Sequence, residues 1–209
     1  MRREALLGVG SRVALIFLAL AMFAAAALAG GITPRHASIN AGEDNYTLAA
    51  EFEIDLGQRL EDVVAHGIPL YFELEVVLER ERKYWVNEHI VTRTLNYRLS
   101  YSGLTRQYRL AHLSAGSSVG SLYQTFGSLA EALRAMAHIQ GLPLVESRVM
   151  QPGETYQASL RLSLDRGQLP KPFQLDAMTD ADWDVTAKSR HWTFTVAEPT
   201  AKATAGSGP

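Results

Sequence analysis

The residues whose types and spacing could do chemistry are few. Gly116, Ser118 and Gly120 spell a G-x-S-x-G, with Asp165 or Asp176 and then His191 downstream, so the Ser–Asp–His order of an α/β-hydrolase is present. That chemistry needs the serine on a strained strand-to-helix elbow above a parallel sheet. Here the preceding segment reads as an antiparallel strand and the surroundings are rich in Ser and Gly, so a flexible loop is the preferred reading. Asp180, Asp182 and Asp184 alternate like the start of a calcium loop. Val185 stands where that loop needs Gly and His191 where it needs Glu, so an acidic turn in water is preferred. The six histidines (36, 66, 89, 112, 138, 191) form no close pair, and with no cysteine there is neither a thiolate nor a disulfide. We expect no catalytic residue, no metal and no cofactor.

Two other groups could touch a ligand or a partner. Arg93, Arg106 and His112 fall on the apolar side of their strands, and an inward cation must find a carboxylate or carbonyls. They read either as an anion-binding or docking pocket, or as structural residues near a sheet edge; the second is preferred. Tyr84 and Trp85 lie beside Arg80, Arg82 and Lys83 at a hairpin end, a composition suited to a protein partner or a lipid headgroup.

The elements that position these residues centre on residues 70–113. Leu70, Phe72, Leu74, Val76 and Leu78 alternate with Tyr71, Glu73, Glu75 and Glu79, the period-two pattern of a half-buried strand. Two further strands joined by tight turns complete a meander. A two-residue turn at Ser102-Gly103 would set Leu99 opposite Arg106, Tyr97 opposite Tyr108, and Arg93 opposite His112. Residues 33–40, 46–56, 144–150 and 156–164 read as further strands, and Trp183, Val185, Trp192, Phe194 and Val196 suggest a last strand or pair. One helix should be capped by Asp55, with Gln58 three residues on, and stop at Gly67 and Pro69. Another should start at Ser128 with Glu131 as a capping box, run through Ile139 and stop at Gly141 and Pro143. Residues 169–173, with two prolines, should be extended. The pattern predicts a mainly β fold: an antiparallel β-sandwich or curled sheet with two short capping helices.

The 209 residues, 47% hydrophobic and 20% charged, suffice for one domain with a sizeable core. A net charge of −2 makes no case for nucleic acid. Arg2, Arg3 and Arg12 precede an uncharged run over residues 13–29 that ends Ala27-Leu28-Ala29. This reads as a signal peptide, or, if uncleaved, as an N-terminal membrane anchor. Either places the folded part, residues 30–197, outside the cytoplasmic membrane, periplasmic or anchored and facing the periplasm. Residues 198–209 read as a disordered tail.

Four stretches carry a resemblance to a known family: Leu60-Glu61-Asp62 through Gly67-Ile68-Pro69-Leu70-Tyr71-Phe72, Leu99-Ser100-Tyr101 through Leu110, Leu164-Asp165 through Leu169-Pro170-Lys171-Pro172-Phe173-Gln174, and Trp183 with Trp192. Together they resemble the bacterial family known as domain of unknown function 4390. The resemblance brings no activity or catalytic residue. It does imply a gene neighbourhood: genes of the family often lie beside that of a membrane sensor histidine kinase of the nitrogen-regulation type. The leading expectation is therefore a non-enzymatic envelope domain that binds a protein partner, such as that kinase. A small anion- or lipid-binding module is the alternative, and a serine hydrolase at Ser118 the third reading.

Overall fold

A computed structural model describes residues 30–113, 123–179 and 183–197. Residues 1–29 and 198–209, read above as a leader and a tail, lie outside these residues, as do the G-x-S-x-G, Asp180 and Asp182. Among the described residues, nine strands form two antiparallel sheets. The smaller sheet is ordered β1-β2-β7, from β1 (Gly31–Ala41), β2 (Asn45–Asp55) and β7 (His138–Glu146). The larger is ordered β6-β5-β4-β3-β8-β9, from β3 (Leu70–Arg80), β4 (Glu88–Ser102), β5 (Gln107–Leu113), β6 (Tyr123–Phe126), β8 (Thr155–Leu164) and β9 (Arg190–Thr195). One buried cluster joins them: Leu48, Ala50 and Phe52 of β2 pack with Leu70, Phe72, Leu74 and Val76 of β3 and Leu160 and Leu162 of β8. The mainly β, antiparallel fold expected from the alternation is present.

Strand β3 alternates buried and half-buried residues over its whole length, as its sequence predicts. Its buried side chains are at most 1% exposed, and each is worth about 1.5–3 kcal/mol of transfer free energy. Helix α1 (Gly57–Ala65) buries Leu60, Val63 and Val64 across one end of the sandwich. The N-cap position is Leu56, with no side-chain cap bond, so Asp55 is not the cap expected with Gln58; it accepts from the Gly57 amide at 2.9 Å in the turn before the helix, and Gly67 at φ +86° turns the chain into β3. Helix α2 (Leu129–Ala137) starts with the expected cap: Ser128 accepts from the Glu131 amide at 3.2 Å. Glu131 in return accepts from the Gly127 amide at 3.1 Å.

Four further expectations are corrected. The β4–β5 loop spans residues 103–106, longer than a two-residue turn. The register therefore sets Leu99 opposite Leu110, Tyr101 opposite Tyr108 and Tyr97 opposite His112. The partners are displaced by an even number of residues, so every side chain keeps its face. What changes is that two buried leucines meet, the Tyr101 and Tyr108 rings pair at 4.9 Å, and Arg106 leaves the sheet for the loop at φ 52°. Arg93 is therefore not opposite His112; its neighbour is Val76. The β3–β4 connection, residues 81–87, is likewise no tight turn. Helix α2 ends at Ala137, before Gly141 and Pro143, which lie inside β7. There Gly141 at φ +65° and the register shifts against β2 mark bulges, where an edge strand tolerates proline. Finally, residues after Leu169 form a third helix, α3 (Lys171–Thr179). Its prolines sit at or before the first turn, where no amide donor is needed, and the Pro170 carbonyl accepts from Phe173 at 2.9 Å.

The register is testable because the chain has no cysteine of its own. The pair Ser100→Cys with Arg109→Cys, directly opposite in the ladder, should oxidise to a disulfide in air. Ser100→Cys with Thr105→Cys, the pair that a two-residue turn would juxtapose, should stay reduced. The reverse outcome, read by thiol titration, would overturn the observed register.

Candidate surface sites

The sandwich has two ends. At one end lie Gly30, packed against Leu56, with α1 and α3, which are tied by an Arg59–Asp176 ion pair at 3.6 Å. At the other, Leu78, Met150 and Tyr156 form a second buried cluster, with Tyr46 and Val145 packed on it. The β3–β4 hairpin projects from this second end.

Its stem is held by charge. The Glu88 carboxylate pairs with both Arg80 and Arg82, the latter at 2.6 Å. Asn87 donates to Glu79 at 3.3 Å and to Gln157 of β8 at 2.9 Å. The hydrogen bonds from Arg80 and then Arg82 hold the Glu88 carboxyl below its ordinary range, and the same contact raises Arg80. Beyond this clamp the chain turns three large apolar side chains to water: Tyr84 is 83% exposed, Trp85 80% and Val86 90%. The Lys83 ammonium stands 6.0 Å from the Tyr84 ring. Consecutive large apolar side chains exposed on a pinned loop are costly to leave in water and suit a buried interface anchor.

Arg93, Arg106 and His112 are not brought together. Arg93 stays on the core-facing side of β4, and its Nε donates to the Leu144 carbonyl of β7 at 2.9 Å. The residue is nevertheless exposed, so its guanidinium keeps contact with water while this one bond links β4 to β7 of the other sheet. Arg106 is exposed in the β4–β5 loop. The His112 ring stands edge-on to Tyr97 at 4.7 Å, and desolvation lowers its pKa. Burial pushes the Tyr97 hydroxyl up to about 12.

The remaining candidates are engaged locally. Asp165 caps a short 3-10 turn, accepting from the Gly167 amide at 3.0 Å and from Gln168 at 2.7 Å. Asp184 accepts from the Thr186 hydroxyl at 2.9 Å. His191 lies on β9 opposite Ser159. Among the described residues, no three His, Asp or Glu side chains are grouped as a metal site requires. Nor is any helix there long and apolar enough to cross a membrane; the apolar run 13–29 lies outside them.

Two features escaped the sequence reading. Val86 completes the exposed trio, and Glu88 clamps it; the spacing of Arg80, Arg82 and Glu88 on a charged turn was the available signal. The other is a groove of about 730 Å³ between β2 and α2, whose walls come from residues almost eighty positions apart.

The architecture is that of an antiparallel β-sandwich with helical caps, holding an exposed aromatic hairpin at one end. Over residues 29–193 the chain matches the family model described as Domain of unknown function (DUF4390), and it belongs to that family. No curated protein matches the chain. No solved structure does so either.

The clamp predicts a pH response. Because the folded-state pKa of Glu88 is lowered, its contribution is complete above the ordinary carboxylate range and is lost as pH falls through the lowered value. Protection of the hairpin amides, expressed relative to the intrinsic exchange rate at each pH, should therefore hold through mild acid and fall only below the ordinary carboxylate range. Glu88→Gln should exchange faster at neutral pH and lose this titration. Identical profiles for the two proteins would show that the clamp does not order the hairpin.

Proposed function

We propose that this chain is a non-enzymatic domain of the bacterial envelope that docks onto a membrane or envelope protein through the tip Tyr84-Trp85-Val86. The observation that carries this reading is the exposure of all three side chains on a hairpin pinned by Glu88 and Asn87. Pinning lowers the ordering cost of binding, and an aromatic residue on a rigid projection is the usual form of an interface hot spot. The basic, apolar N-terminus supports export, with the folded part facing the periplasm.

The direction of the tip narrows the partner. Gly30 packs at the α1 end, whereas the tip leaves the opposite end, one strand length of roughly 35 Å away. A chain anchored through residues 13–29 would thus hold its tip away from its own bilayer. This favours the membrane-distal part of a protein over a lipid headgroup as the occupant. The periplasmic portion of a sensor histidine kinase, whose gene often neighbours those of the family this chain resembles, is the first candidate.

A photo-crosslinking amino acid at position 85, in the full-length chain in cells, should give a discrete adduct with one envelope protein. The same group at Gln58, exposed on α1, should not. Tyr84→Ser with Trp85→Ser and Val86→Ser should abolish the complex while leaving thermal stability within a few degrees, because all three side chains are exposed. Retention of the complex by this triple variant would sink the reading.

A further inference from the structure

Sheet edges are hazards that proteins blunt, and this one blunts several of its own. Strand β1 carries Pro34 at a bulge, and Arg190 donates to the carbonyls of Pro34 and Arg35 at 3.4 and 3.2 Å. Strand β7 is broken by bulges, and its Leu144 carbonyl is taken by Arg93. Strand β6 is short. One stretch is treated differently. Strand β2 pairs with β1 along its whole length, but its pairing with β7 stops at Glu51–His138. From Phe52 to Asp55 no strand among the described residues lies on that side. Every second residue there turns its amide and carbonyl towards α2. Among the described residues, no hydrogen bond joins this backbone to α2.

The space between is the groove of about 730 Å³. Ile54, Leu129 and Leu133 give it an apolar lining, and Ala130, small and exposed, keeps it open. Its rim is unbalanced in charge. Arg35 is paired with Glu53, and the Arg134 Nε donates to the Ala130 carbonyl of its own helix at 3.3 Å, which leaves Arg134 as one cation against the carboxylates of Glu51, Asp55 and Glu61. Glu51 and Glu61 carry no ion pair among the described residues, and Asp55 is engaged only with the Gly57 amide. The free donors and acceptors, the apolar lining and the surplus carboxylates call for a single chemistry.

We propose that the groove between β2 and α2 takes an extended, basic peptide segment of a partner protein, which adds to β2 as a strand beside Phe52–Asp55. Its backbone pairs with the free side of β2. Its apolar residues, two apart, rest on Leu129 and Leu133. Its lysine or arginine side chains, on alternate positions, meet Glu51 and Glu61. Main-chain pairing supplies affinity with little sequence demand, and the carboxylates choose the sign of charge. This site is separate from the Tyr84-Trp85-Val86 tip, so the inference stands or falls without it.

The test uses the full-length chain in detergent and three fluorescent, end-blocked hexapeptides, read by polarisation. One alternates valine with lysine, one valine with glutamate, and the third is the lysine peptide with alternate amides N-methylated. The lysine peptide should bind at least tenfold tighter than the glutamate peptide, and N-methylation on the pairing edge should weaken it at least tenfold. Glu51→Lys with Glu61→Lys, both on exposed positions, should reverse the preference, and Ala130→Trp should abolish binding by filling the groove. Circular dichroism of each variant, unchanged from the parent, shows that the fold survives. Binding that ignores N-methylation is charge attraction alone and overturns strand addition. Binding that survives Ala130→Trp uses another edge, such as β9, and overturns the location. No binding, or a concentration-dependent dimer that Ala130→Trp dissolves, overturns the partner peptide as occupant.

Discussion

Everything in this molecule depends on strand β3 keeping one face dry. It is the strand that both β4 and β8 pair with, and its buried residues from Leu70 to Leu78 supply the floor on which the smaller sheet rests. Backbone pairing alone cannot fix such a strand, because its ladder is satisfied equally well in other registers. Burial does so: a shift by one residue would carry Glu73, Glu75 and Glu79 into the core and Phe72 and Leu74 into water. The rest of the large sheet inherits its register from this choice. Outside the core, the same alternation places Glu75 beside Arg161 of β8 at 2.9 Å, a surface pair worth little by itself but consistent with the register.

From that constraint follows the division of the surface. The core face is used up in joining the sheets, and the outer face is polar. What is left for recognition lies at the ends and edges. At one end the hairpin leaves the sheet and its clamp holds an aromatic tip outside the fold. At the side, β7 parts from β2 because the chain preceding it is helical, and α2 cannot continue the ladder. The groove lies where a helix runs straight into a strand at Ala137–His138, between that helix and the end of β2.

The elements most legible in the sequence were those whose signal is local. Alternation marked β2, β3 and β8 nearly to the residue, and the Ser128–Glu131 pair marked the start of α2. The errors arose where local rules compete. Ser102-Gly103 is good turn chemistry, but the pairing of Leu99 with Leu110 and of Tyr101 with Tyr108 outweighed it, and the loop lengthened. Pro170 and Pro172 argued against a helix, yet both precede the point where a helix first needs a donor. Gly141 and Pro143 looked like a helix stop and proved to be the bulges of an edge strand.

By itself, the sequence determined the class of fold, the faces of the strands, the absence of thiol chemistry and the exposure of Tyr84 and Trp85 on a charged turn. These are properties of composition and of period, which the chain carries without needing to fold. Only the tertiary structure decided that Arg93 finds the Leu144 carbonyl, that Arg93, Arg106 and His112 stand apart, and that a groove opens between β2 and α2. Each of these depends on contacts between segments distant in the chain. Such contacts are set by how two sheets and a helix share one core, and no local spacing encodes that.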